Sequence, residues 1–198
     1  MIETTMNNNN NDKIKIGIIL SSVRDNRIGR SICDWMMKLV EPSTSPKVEF
    51  VLIDLKQWSL PMFDSPEVPR ETTQFHSDIA RRWSEEISEK QAFVLITPEY
   101  NYGYTAPLKN ALDYLFREWN EKPVTLISYG FGGGGRSASH LKGVLTDALN
   151  MKLIDTQPQL FINYDMLDKT TGEFHDISTT FKQYEEVVKK SVQEVCSL

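Results

Sequence analysis

At 198 residues the chain suits one α/β domain with a sizeable core, and its 40% hydrophobic and 25% charged content is globular and not disordered. A formal net charge of −5, with lysines and arginines scattered, argues against a phosphate backbone as partner and so against nucleic-acid binding. No apolar run nears the ~18 residues of a membrane span, and two cysteines without metal-ligand spacing read as free thiols in a reducing, cytoplasmic setting.

Residues 1–12 are polar and end in the run Asn7–Asn11. They carry no hydrophobic signal-peptide core and read as a flexible tail ahead of a single domain over 13–198. Ile14–Leu20 is apolar at nearly every position, as a strand covered on both faces should be. A polar loop follows, then a helix with Ile28, Ile32, Trp35 and Leu39 on one stripe and Met36-Met37 in its core packing. Val48–Asp54 is the second strand, and Trp58–Pro69 an ordered, proline-rich loop. Phe75, Ile79, Trp83 and Ile87 predict a second helix, Ala92–Thr97 the third strand, and Leu108, Leu112, Leu115 and Trp119 a third helix. Val124–Tyr129 is the fourth strand, and Leu141, Val144, Leu145 and Ala148 mark the next helix. A weaker fifth strand lies within Lys152–Asn163, where Pro158 interrupts it. Ile177, Phe181, Tyr184, Val188 and Val195 form a closing helix.

This alternation predicts a parallel sheet with right-handed crossovers and helices on both faces. Five strands favour a flavodoxin-like three-layer sandwich of order 2-1-3-4-5, in which ligands bind beyond the carboxyl ends of the strands where the order reverses. The loops after the first, third and fourth strands meet there.

Each of those loops is chemically unusual. After the first strand come Ser21-Ser22-Val23-Arg24-Asp25-Asn26-Arg27-Ile28-Gly29 and a helix start. Free N–H groups, hydroxyls and two arginines suit a terminal phosphate, although the loop alone fits a capped helix with solvated arginines equally well. Neither G-x-G-x-x-G nor G-x-x-x-x-G-K-[ST] is present. After the third strand, Pro98-Glu99-Tyr100-Asn101-Tyr102-Gly103-Tyr104 combines rings with a tight Asn/Gly turn, fit for a planar heterocycle or for covering the core. After the fourth strand, Tyr129-Gly130-Phe131-Gly132-Gly133-Gly134-Gly135-Arg136 holds five of the ten glycines, which allow backbone to approach a ligand closely. A flexible linker would be oddly placed there.

Together these loops resemble the NADPH-dependent FMN reductase family, particularly its small fungal quinone/FMN reductases. The resemblance runs from Ile14 to about Asn150 and rests on Ser21-Ser22-Val23-Arg24, on Thr97-Pro98-Glu99-Tyr100-Asn101-Tyr102-Gly103 with Pro107-Leu108-Lys109-Asn110-Ala111-Leu112-Asp113, and on Tyr129-Gly130-Phe131-Gly132-Gly133. It implies that Ser22, Arg24 and Arg27 hold the FMN phosphate, with Ile28 at the same helix start. It implies further that Pro98, Glu99, Tyr100, Asn101 and Tyr102 line the isoalloxazine, and that Tyr129, Gly130, Gly132 and Gly133 face its pyrimidine end. Ser21 departs from the family's usual glycine. The resemblance also implies NADPH or NADH as donor, ping-pong transfer of two electrons to a small-molecule acceptor such as a quinone or flavin, and a homodimer. Arg136 is the nearest cation for a 2′-phosphate, or else a solvated side chain.

Other groups carry less. His76, His140 and His175 share no ligand spacing, Ser137-Ala138-Ser139-His140 lacks the G-x-S-x-G elbow, and Asp113 and Glu118 read as helix-surface charges. No acid, base or nucleophile is needed where the cofactor carries the chemistry. A flavodoxin-type electron carrier and a flavin-based redox-sensing interaction protein are compatible with the same residues.

Overall fold

The structure, a computed structural model, describes residues 13–72 and 74–197. The expected tail over residues 1–12 lies outside them. The parallel strands β1 (Ile14–Leu20), β2 (Val48–Asp54), β3 (Ala92–Pro98), β4 (Pro123–Gly130) and β5 (Lys152–Leu153) follow the order β2-β1-β3-β4-β5, and β6 (Gln159–Phe161) also pairs with β4. The helices are α1 (Gly29–Val40), α2 (Leu55–Trp58), α3 (Asp78–Ser88), α4 (Ala106–Asp113), α5 (Gly135–Gly143), α6 (Ile177–Phe181) and α7 (Glu185–Cys196).

Strand alternation divides the core in two. Phe93 and Leu95 of β3 and Val124 and Leu126 of β4 face one cluster with Trp83, Leu112 and Leu141 of α3, α4 and α5. Val94 and Ile96 of β3 and Ile127 of β4 face the other, with Ile32 and Met36 of α1 and Val188 and Val192 of α7. Both faces of the central strands are therefore buried, which is why they read as continuous apolar runs.

The interruption expected at Pro158 is present, and four expectations about helix ends are corrected. The weak fifth strand is two pieces: Ile154 still donates to Val124 O at 2.9 Å, after which the chain leaves β4 and rejoins at Pro158, whose carbonyl accepts from Ser128 N at 3.0 Å. Proline has no N–H for the ladder, so regular pairing resumes only after it. The helix expected to run through Leu115 and Trp119 stops at Asp113. Its last carbonyls are taken by indoles, Trp83 Nε1 donating to Ala111 O at 2.9 Å and Trp119 Nε1 to Leu112 O at 3.2 Å, so both rings stay buried without further helix. Phe75 precedes α3, which begins after the Ser77 cap. The closing helix is broken by a 3₁₀ turn over Lys182–Tyr184, and α5 passes into a π turn over Val144–Ala148.

Candidate functional site

The loop after β1 enters α1 at Ile28 with no side-chain cap and no acid in the first turn. The first N–H groups and the positive helix end are thus left for an anion. Ser22 is buried, and its Oγ lies 2.8 Å from the Tyr100 hydroxyl. Arg24 is exposed, with Cζ 5.9 Å from the Tyr100 ring centroid. Arg27 instead turns inward. Its Nη1 donates to Ser22 O and to Asp54 Oδ1, both at 2.6 Å, and its Nη2 to Asp54 Oδ2. Ile28 is half-buried and packs on the α1–α7 core. Ser21 buries the side chain it carries in place of glycine, and its Oγ has no partner. Its carbonyl accepts from Thr105 Oγ1 at 3.1 Å.

The loop after β3 is a tight hairpin. Tyr100 and Gly103 exchange both backbone hydrogen bonds at 2.9 Å around Asn101 and Tyr102. Both central residues have positive φ, 49° and 67°, the conformation that matches the strand twist. Asparagine tolerates it well and tyrosine poorly, so the Tyr102 ring is held outward at a local cost. Pro98 is buried at the strand end, and Glu99 N donates to Tyr129 O at 2.9 Å.

The glycine loop closes on itself. Gly133 N donates to Gly130 O, and Ser128 Oγ donates to Gly133 O, each at 3.0 Å. The Gly133 N–H is therefore turned inward, whereas a Cβ at Gly132 would meet nothing within 4 Å. Gly134 has φ 75°, and a Cβ there would come within 2.6 Å of Tyr129 N. Glycine at the start of α5 supplies no cap, and Glu99 supplies one from the neighbouring loop: Arg136 N donates to Glu99 Oε2 at 3.0 Å. The Arg136 Nη1 approaches Glu99 Oε1 at 3.4 Å, and its guanidinium lies 4.0 Å from the Tyr102 centroid. Tyr129 is buried, with its hydroxyl 2.5 Å from where a Gly29 Cβ would stand. Burial pushes that phenol well above its usual range, and the nearby Tyr100 adds to the effect.

The three loops are thus joined by side chains, the first to the second by Ser22–Tyr100 and the second to the third by Glu99–Arg136. Ser22, Arg24, the Glu99–Tyr102 hairpin, Gly130 and Gly132 come together at one sheet edge. The side chains of Arg27, Ile28, Pro98 and Tyr129 face the interior and support that edge from below. Sequence reasoning missed Asp54, whose partner is 27 residues distant; its only local signal is an acid ending a strand, where Oδ1 accepts from Lys56 N at 3.0 Å. It also missed Tyr164, which packs on Phe131. Among the described residues there is no group of three or more His, Cys, Asp or Glu that could hold a metal ion. None of their helices is long and apolar enough to cross a membrane. Chemically the edge offers an uncapped helix start beside an exposed arginine, and a glycine loop with open space at Gly132.

A family model described as NADPH-dependent FMN reductase matches residues 14–163. An NAD(P)H-dependent FMN reductase of Schizosaccharomyces pombe is 39% identical over 157 residues, covering 77% of this chain and 76% of that protein. An NAD(P)H:quinone oxidoreductase of Solanum tuberosum is 31% identical over 157 residues, covering 76% and 75%. Among solved structures, the flavoenzyme NAD(P)H:(acceptor) oxidoreductase of Paracoccus denitrificans superposes with a TM-score of 0.66 at 20% identity, over 91% of this chain and 98% of its own, a likeness of fold.

Proposed function

The chain belongs to the NADPH-dependent FMN reductase family, and from that premise we propose that it is an FMN-dependent oxidoreductase moving two electrons from NAD(P)H to a quinone or flavin-like acceptor. The observation that carries this reading is the cross-linked rim: three loops from separate strands are tied together by Ser22–Tyr100 and Glu99–Arg136 around a shared edge. The residues present fit FMN. The uncapped start of α1 and Arg24 suit its phosphate. Open space at Gly132, beside a loop bent for close approach, suits a flat ring with polar edges.

When bound, FMN supplies the hydride-accepting chemistry. The chain's own tasks are to seat the phosphate with Arg24 and the α1 N–H groups, and to place the ring between the Glu99–Tyr102 hairpin and the glycine loop. The glycine loop brings its backbone up to the ring's pyrimidine end at Gly132, which is exposed, while Gly133 is bonded inward. Asp54 neutralises Arg27 beneath the anion seat, so Arg24 is the cation left to face the phosphate. One accessible face serves donor and acceptor in turn, which makes turnover ping-pong. We place the protein in the cytoplasm as a homodimer whose subunits each fold as one domain over 13–198.

Titrating the purified protein with FMN, then adding NADPH without oxygen, tests the reading. Saturable binding followed by bleaching of the flavin bands on NADPH, and recovery on adding a quinone, is the expected result. A protein that takes up no FMN, or whose bound FMN NADPH leaves oxidised, would overturn it.

A further inference from the structure

Four large aromatic side chains are exposed among the described residues: Tyr102 (63%), Phe131 (58%), Phe161 (42%) and Tyr164 (73%). All four lie beyond or at the carboxyl ends of β3, β4 and β6, and none lies elsewhere. Single exposed rings need no explanation. Phe131 and Tyr164 are different, because they pack against each other in the open, centroids 4.7 Å apart and planes tilted by 54°. A pair that stays largely exposed buries little apolar area and contributes little to the fold.

The backbone presents this pair firmly. Phe131 rides on the glycine loop and Tyr164 on the 3₁₀ turn Tyr164–Met166 that follows β6. The two segments are tied by Ile162 N donating to Gly130 O at 3.0 Å, and the 3₁₀ turn closes with Leu167 N donating to Tyr164 O at 3.2 Å. Both rings nevertheless keep more than half of their surface open to solvent. On the same loop Arg136 is exposed; its guanidinium lies over the Tyr102 ring and Nη1 approaches Glu99, which leaves Nη2 and Nε without hydrogen-bond partners among the described residues.

We propose that Phe131 and Tyr164 form the platform that receives the adenine ring of the nicotinamide dinucleotide donor, with Arg136 facing the phosphates of its adenosine half. The inference rests on the FMN-dependent reading above and adds a site to it. Base–aromatic stacking needs only a ring face and accepts any purine, while Arg136 selects an anionic partner. A neutral quinone would have no use for Arg136, which is why the donor is favoured over the acceptor.

The test uses FMN-loaded protein and compares NADPH and NADH with reduced nicotinamide mononucleotide, which lacks adenine. Tyr164→Ala should raise KM for both dinucleotides roughly tenfold, the scale of one lost stacking contact, leave KM for the mononucleotide unchanged, and retain full FMN content. Tyr164→Trp should restore the dinucleotide KM. Calorimetry with adenosine 2′,5′-bisphosphate should show the same loss without any turnover, so this arm stands even if FMN reduction fails. Equal changes for all three donors, or none, would overturn the platform. So would a change confined to the quinone KM, or a smaller sedimenting species for Tyr164→Ala, which would hand the rings to the acceptor or to a second copy of the chain. Failure of FMN to bind or to be reduced by any donor would instead sink the underlying reading.

Discussion

Arg24 and Arg27 stand three residues apart in one loop, chemically identical, and the fold gives them opposite tasks. Arg24 is exposed at the rim, and Arg27 is folded beneath it onto a carboxylate whose side chain is 2% exposed. Replacing Arg24 with Ala should weaken FMN binding by roughly 1.5–3 kcal/mol, the scale of a charge-assisted hydrogen bond. Calorimetric titration measures that loss, and the melting temperature of the free protein should not move. Asp54→Ala should do the reverse first, lowering stability by about 3–5 kcal/mol in urea unfolding because it strands a nearly buried guanidinium. The sequence makes the loop legible as an anion seat but cannot separate the two arginines. Their difference lies in a partner that only the β1–β2 pairing brings near, with Leu20 in register with Asp54.

Strands were legible from their short β-branched, apolar runs, and helix ends were not. The first two strands have the expected bounds although the second is only partly buried, whereas helix ends depend on distant groups. At α4 the apolar spacing continues through Leu115 and Trp119 although the helix has ended, since two indoles occupy its last carbonyls. At α3, which has no basic residue in its last turn, cations arrive from outside the helix: Lys90 donates to Glu86 O at 2.8 Å, and Lys122 to Ile87 O at 2.8 Å and Ser88 O at 3.2 Å. Burial pulls the Lys122 amine down to about 8, even though Glu118 opposes the shift. In the unfolded chain it keeps its proton to about pH 10.4. Between those values the unfolded state binds more protons, so stability rises with pH, and below about 8 the burial penalty is fully present. Urea midpoints at about pH 7 and pH 9.5 should therefore show a rise in the native chain that is smaller in Lys122→Met. At the other end of the sheet, Gly134→Ala should cost at least 1–2 kcal/mol from the left-handed backbone alone and more from its approach to Tyr129 N. Its urea midpoint should fall, and its FMN affinity with it.

At the scale of the whole molecule, the strand order decides which loops can cooperate. Order β2-β1-β3-β4 sets Asp54, the β1 loop, the β3 hairpin and the glycine loop side by side. Polar contacts then run along that edge without a gap from strand to strand: Asp54 to Arg27, Arg27 to the Ser22 carbonyl, Ser22 Oγ to Tyr100, and Glu99 to Arg136. Each link is modest alone. In series they mean that the rim has already given up its freedom before any ligand arrives, so little ordering remains to oppose binding. The consequence is kinetic. Quenching of FMN fluorescence in stopped flow should follow one exponential whose rate grows linearly with protein concentration, because no slower rearrangement has to wait its turn. A rate that levels off would reveal a hidden opening step, and Ser22→Ala, which cuts the series in the middle, should introduce such a plateau where the native chain has none.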